Sequence, residues 1–223
     1  VYLVSGNAQS PQYTYSIGLF QSIGFEIVLA GASFFSTSEQ HVIVNKVAEA
    51  LRTDPCRRGV SVVGMGVFRL NHCESSWATE LLLGAIDFYD RVEIPVLQII
   101  PDEEHLTIDV PDMGLPWSFE ESGAWQWLKG DLPVVIPING VAITNLGVLQ
   151  GEMVIEVVRW EANEWEAFSI PGTEVTREQS RQVPITTLLI DDSLLPILGL
   201  IPGEGLRRDS QELIWTKWER QNE

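Results

Sequence analysis

The chain has 223 residues, 31 Asp and Glu against 14 Lys and Arg for a formal net charge of −17, 45% hydrophobic residues and 2 cysteines. That hydrophobic fraction describes a folding chain of one large or two small domains and excludes disorder, which needs low hydropathy alongside high charge. The acidity argues against a grip on a nucleic-acid backbone, no apolar run reaches the ~20 residues of a membrane span, and two cysteines cannot build a disulfide framework.

Val1 to Pro11 has neither a basic start nor a long apolar core, so no signal peptide is expected there. Tyr13 to Leu19 is rich in aromatic and β-branched residues and alternates like a strand. Gly24 separates it from a second strand candidate, Glu26 to Ala30. Ser36 and Glu39 have the spacing of a capping box, and Ile43, Val44, Val47, Ala48 and Leu51 follow at helical intervals. This helix should end by Asp54, because Pro55 disfavours a helical conformation in the residue before it. Val60 to Leu70 reads as one strand, with Gly64 and Gly66 marking a bulge or a close backbone approach. Trp77, Leu81, Leu82, Ala85, Ile86 and Tyr89 give one further helix, and Val96 to Ile100, bounded by prolines, a buried strand.

The pattern changes around residues 120–133. A short helix is expected around Trp125 and Trp127, broken by Gly130 and Pro133. Strands are then expected at Val134–Ile138 and Val141–Asn145 around an Asn139-Gly140 hairpin turn. A second hairpin joins Met153–Trp160 to Trp165–Ile170, Ile185–Ile190 is another apolar run, and a helix closes the chain from Asp209 through Trp218. The fold class is therefore α+β: an N-terminal α/β sandwich-like domain over residues 1–126 and a smaller β-rich domain over residues 127–223. Acids are spread over both halves, 16 against 6 bases in residues 1–125 and 15 against 8 in residues 126–223, so no acidic tail explains the charge.

Three stretches of the first half resemble the bacterial family described as domain of unknown function 4262. They are Tyr13-Thr-Tyr-Ser-Ile-Gly-Leu19 followed by the acidic Glu26, Ala85-Ile-Asp-Phe-Tyr89, and Val96-Leu-Gln98 to Asp102 followed by Leu115-Pro-Trp117. They occur in the family's order over about residues 1–120. The chain departs from the family in having Ile23-Gly-Phe25 where His-Pro is common, and in a longer segment from Glu103 to Met113. More loosely, Glu164-Trp-Glu-Ala-Phe168, Asp191-Asp192, Gly205 to Arg208 and Trp215 resemble small β-rich bacterial domains. Domains of both kinds are similar to those of bacterial toxin–immunity neighbourhoods, and the resemblance supplies no catalytic residue.

Chemistry is weighed residue by residue. His72-Cys73-Glu74 lacks the spaced pairs of a zinc site, and adjacent residues in an extended chain point apart. Arg57 and Arg58 would favour a Cys56 thiolate, but no motif pairs either cysteine with a histidine. His41 falls in a first helical turn. The carboxylate runs Asp102-Glu103-Glu104, Glu120-Glu121 and Asp191-Asp192 read as solvated loops, and Gly64-Met-Gly66 lacks the pattern of a phosphate cradle. Trp117, Trp125 and Trp127 read as packing at the junction of the halves.

These readings favour a non-enzymatic, cytoplasmic, immunity- or antitoxin-like protein without metal or cofactor. It would bind a basic protein partner, a cognate toxin domain such as a nuclease, and block it. Neither nucleic acid nor membrane is an expected partner. The partner-binding acids are expected at Asp102, Glu103, Glu104, Asp109 and Asp112, five carboxylates in a long loop. The alternatives are an enzyme or small-ligand-binding protein drawing on His72, Cys73 and the Tyr13–Tyr15 strand, and a generic protein-interaction module.

Overall fold

The computed structural model describes residues 1–91, 93–209 and 214–218. Its first unit is a six-stranded mixed sheet built from β1 (Tyr2–Val4), β2 (Tyr13–Tyr15), β3 (Glu26–Ala30), β4 (Gly59–Val62), β5 (Gly66–His72) and β6 (Val96–Pro101), in the spatial order β1-β2-β3-β6-β5-β4. The helices are α1 (Phe20–Ile23), α2 (Thr37–Thr53), α3 (Ser75–Leu81) and α4 (Leu83–Tyr89). β3 and β6 are the parallel pair at the centre, and every residue of β3 is buried because helices cover both faces.

One face of this sheet carries Ile27, Leu29, Phe68, Leu70, Leu97 and Ile99 against the apolar stripe of α2. The other carries Tyr13, Tyr15, Val28 and Val96 against Trp77, Leu81, Leu82 and Ala85 of the α3–α4 side. α2 starts and stops as its sequence dictates. Ser36 and Glu39 form the complete capping box, and the helix ends at Asp54.

Three expectations are corrected in this unit. Tyr13–Leu19 is a strand only to Tyr15, since the chain then turns into the short helix α1. Val60–Leu70 is not one strand but the hairpin β4–β5, because Gly64 and Gly66 both take positive φ and reverse the chain. Trp77–Tyr89 is two helices that meet at Leu82. The Tyr15 hydroxyl accepts the Gly84 N–H at 3.2 Å, and a Cβ on residue 84 would press into that hydroxyl.

The second unit is also a six-stranded mixed sheet. Its strands are β7 (Val141–Asn145), β8 (Glu156–Glu161), β9 (Glu164–Phe168), β10 (Ser180–Pro184), β11 (Gly205–Arg207) and β12 (Thr216–Lys217), in the order β10-β7-β9-β8-β11-β12. Two short helices, α5 (Leu146–Leu149) and α6 (Ile185–Leu188), and a 3₁₀ segment at Asp192–Gly199 accompany it. Trp165, Ala142, Val157 and Val183 face this unit's core with Ile185, Leu188 and Ile197.

The hairpin around Ala162-Asn163 forms as expected. The one at Asn139-Gly140 does not. Residues 134–138 are spent on turns closed by Ile136 N–H to the Pro133 carbonyl and Gly140 N–H to the Pro137 carbonyl, and β7 pairs in parallel with β9 instead. The apolar run at Ile185 is helical only to Leu188. Of the expected terminal helix, residues 210–213 lie outside the described residues, and Thr216–Lys217 is a strand on β11. Trp215 is drawn inward instead, with its indole N–H on the Ser193 carbonyl and the Arg208 guanidinium 4.3 Å from its ring centre.

Ala8 belongs to the core of the second unit, and Ile108 packs against it. Trp125 is fully buried in the first unit's core, edge-on to Trp77, whereas Trp127 packs against the second. Among the described residues no helix is long and apolar enough to cross a membrane.

Candidate functional site

The five acids expected to meet a partner are not on one free loop. Residues 102–113 form a strap between the two units, with Thr107, Asp109, Pro111 and Met113 buried in alternation. The Ile108 N–H donates to the Leu149 carbonyl, and Gln98 holds the strap through its amide N–H on the Pro111 carbonyl at 2.7 Å and its amide oxygen on the Met113 N–H.

Asp102 accepts the Val67 N–H at 2.6 Å and faces His105 Nδ1 at 2.5 Å. Partial burial pushes its carboxyl up, but these two partners outweigh it and hold the group below the ordinary aspartate value. The His105 ring is stacked on Phe35. Asp102 is thus tied to the end of the β4–β5 hairpin. Asp109 is a correction: it is 0% exposed and presents nothing to a partner. Its carboxyl accepts the hydroxyls of Ser33 and Thr107 at 2.6 and 2.5 Å, and burial pushes it above the usual carboxylate range despite those bonds. It is drawn in because β3 runs into Gly31, whose positive φ and missing side chain let the Asp109 backbone lie against it. Glu103, Glu104 and Asp112 are exposed, as expected.

A second carboxylate is equally buried and was not singled out as a site from sequence. Glu26, at the start of β3, is 0% exposed and accepts from the Ser16 hydroxyl, the Tyr89 hydroxyl at 2.5 Å, the Gly18 N–H at 2.9 Å and the Phe20 N–H at 3.0 Å. Three of these donors converge on Oε1 and the Ser16 hydroxyl takes Oε2, so both oxygens of the buried carboxylate are partnered. Burial first, and then the bond to Glu26, push the Tyr89 phenol up to about 12. Ser16 and Gly18, Glu26 and Tyr89 all lie in the stretches that carry the family resemblance. Gln98 lies in the third of them. Their arrangement fastens the fold.

The histidines and cysteines are not brought together. Cys56, His41 and His72 are exposed, and burial pushes the Cys73 thiol up to about 12, far from a thiolate at neutral pH. Among the described residues no group of three His, Cys, Asp or Glu could hold a metal ion.

The outward-facing acids continue on the second sheet. Trp160 sits at the irregularity of the β8–β9 hairpin, with its indole N–H on Glu166 at 2.7 Å and its ring edge-on to Trp218 at 6.1 Å. Beside it Glu161 stands directly opposite Glu164, a like-charge pair that costs the sheet stability. Three of the scarce cations are turned the other way. Arg159 donates to the carbonyls of Leu200 and Ala162, Arg181 to that of Phe34 and Arg208 to that of Val154.

Two open clefts lie among the described residues. One, of about 560 Å³, lies between the start of α2 and β10, with Gln12, Thr37, Arg177, Arg181 and Gln182 in its walls. The other, of about 550 Å³, lies beside Cys73 and Arg91. Neither was legible from the sequence, because their walls come from segments far apart in the chain: Arg181 meets the Phe34 carbonyl from 147 residues away. The nearest sequence signal was Ser36, which marks where α2 begins.

No curated protein and no solved structure matches the chain. The second, β-rich unit lies outside the matched family segment. The first unit is the one the comparisons identify: residues 1–106 match the family model described as Domain of unknown function (DUF4262).

Proposed function

We propose that this is a non-enzymatic, immunity- or antitoxin-like protein that binds a basic toxin domain, such as a nuclease, and covers its working surface. The observation that supports this reading is the excess of outward-facing acids. Glu103, Glu104, Asp112 and Glu161 face solvent, while Arg159, Arg181 and Arg208 are tied inward to backbone carbonyls. Other bases, Arg57, Arg58 and Arg69 among them, are exposed as well, and the net charge of −17 leaves the acids in excess over them. Such a surface raises the encounter rate with a basic partner by summed long-range attraction, and close packing then sets how long the complex lasts.

A protein encoded beside this one is the first partner to test. Co-expression should yield a complex that survives gel filtration and should restore growth that the neighbour alone arrests. A neighbour that is harmless alone, or that stays toxic and unbound in the presence of this protein, refutes the reading.

A further inference from the structure

We infer that the basic partner proposed above packs on the outer face of the second sheet, with an arginine side chain laid against Trp160 and Trp218, a placement that rests on that partner being basic. The strands of this sheet alternate. Ala142, Val157, Trp165, Ala167 and Val183 turn inward, and α5, α6 and the 3₁₀ segment at Asp192–Gly199 pack on that side. Their neighbours Ile143, Trp160, Glu164 and Glu166 turn outward and keep contact with solvent.

At the centre of this outer face two indoles meet edge-on, with ring centres 6.1 Å apart and planes at 83°. Trp160 is 36% exposed, and its indole N–H is fixed on Glu166 at 2.7 Å, so the ring is held in place before anything binds. Trp218 is positioned by its backbone N–H on the Gly205 carbonyl at 2.8 Å, and it lies so close to that glycine that a Cβ on residue 205 would stand 2.9 Å from its own. Tryptophan is enriched at the energetic centres of interfaces, because it presents a large, rigid contact area at little cost in side-chain freedom.

The charge around the indoles selects the partner. Glu161 and Glu164 face each other across the hairpin, and among the described residues neither they nor Glu166 have an ion-pair partner. Arg159 of the same hairpin is turned to the core side, over the Trp165 ring at 4.5 Å, and is spent on the Glu161, Ala162 and Leu200 carbonyls. Arg207, outward on β11, stands opposite Glu156 on β8. A like-charge pair that costs the free sheet stability is relieved when a cation from outside sits between its members. Arginine is the cation that fits, since its planar guanidinium stacks on an indole face while its fork of N–H groups meets carboxylates. Glu103, Glu104 and Asp112 act on encounter, and this face supplies the close packing that holds the complex.

Titration of the intact protein, ¹⁵N-labelled at its indole nitrogens, with a hexa-arginine peptide at physiological salt tests the placement. The Trp160 and Trp218 indole signals should shift on binding, while those of the buried Trp77, Trp125 and Trp165 stay. Trp160→Ala, at an outward-facing position, should weaken the peptide about tenfold. Glu164→Gln should weaken it as well and at the same time raise the midpoint of thermal unfolding, because it removes the like-charge pair. No binding of the peptide, binding that leaves the Trp160 and Trp218 signals in place, or affinity unchanged in both variants would overturn the assignment. Each of these outcomes leaves the co-expression test of a toxin partner standing, so failure of this face and failure of the immunity reading are told apart.

Discussion

The Tyr89 hydroxyl at the end of α4 donates to the buried Glu26 carboxylate on β3 at 2.5 Å, joining residues 63 positions apart. The same hydroxyl accepts the Gly18 N–H, so helix, central strand and the turn into α1 meet at one carboxylate. Hydrogen bonds to a charged group carry more than neutral ones. Tyr89→Phe should therefore cost about 1.5–3 kcal/mol in urea unfolding. A loss within ~0.5 kcal/mol, the range of ordinary surface changes, would show that the remaining three donors satisfy Glu26 unaided.

The tyrosines give the fold an alkaline limit. Burial above all pushes Tyr13 up to about 12, and burial and Glu26 push Tyr89 to the same value. In the unfolded chain both phenols ionise near pH ~10. A group whose folded pKa is raised contributes stability that is complete below its unfolded pKa and is lost as pH rises through the folded one. Stability should hold below about pH 10 and fall steeply between about pH 10 and 12. Phenolate absorbance followed alongside circular dichroism is the check. Full ionisation of Tyr13 and Tyr89 in a still-folded protein near pH 10 would contradict it.

Asp109 behaves in the opposite sense from a stabilising ion. Burial pushes its carboxyl up, so the stability linked to its proton is present below the ordinary aspartate pKa and lost as pH rises through the folded value. Asp109→Asn keeps an acceptor oxygen for one of the two hydroxyls and offers an N–H that the other can turn to accept, without the buried charge, and should leave stability at pH 7 equal to wild type or above it. Asp109→Ala leaves those donors unmet and should cost about 1–3 kcal/mol. Thermal melts of the two variants decide the matter, and an Asn variant as damaged as the Ala variant would refute it.

Much of the fold was written in local pattern. The capping box at Ser36, the stripe of α2, the buried run of β3 and the hairpin at Ala162-Asn163 each depend on residues close in sequence. What was not legible depended on distant partners. Leu82 breaks a continuous helical pattern where the Tyr15 hydroxyl is at hand for the Gly84 N–H. Asn139-Gly140 has the residues of a hairpin, but Val134 to Ile138 offers β7 no strand to pair with. The candidate site was legible in charge and not in position. Glu103, Glu104 and Asp112 are exposed, whereas Asp109, drawn from the same run, is buried by Gly31 and Ser33, which sequence spacing cannot reveal.

The most direct test of the acidic surface as a partner-binding face is the association rate with the basic partner across a salt series. Replacing Glu103, Glu104 and Asp112 together by Ser removes three exposed acids and spares Asp102, whose carboxylate holds Val67 and His105. Exposed charges are screened over ~8–10 Å at physiological salt, so their sum acts mainly on encounter. The triple variant should unfold within about 0.5 kcal/mol of wild type per substitution, associate more slowly at low salt and show a shallower salt dependence. An association rate and salt slope equal to wild type would contradict the assignment of this face.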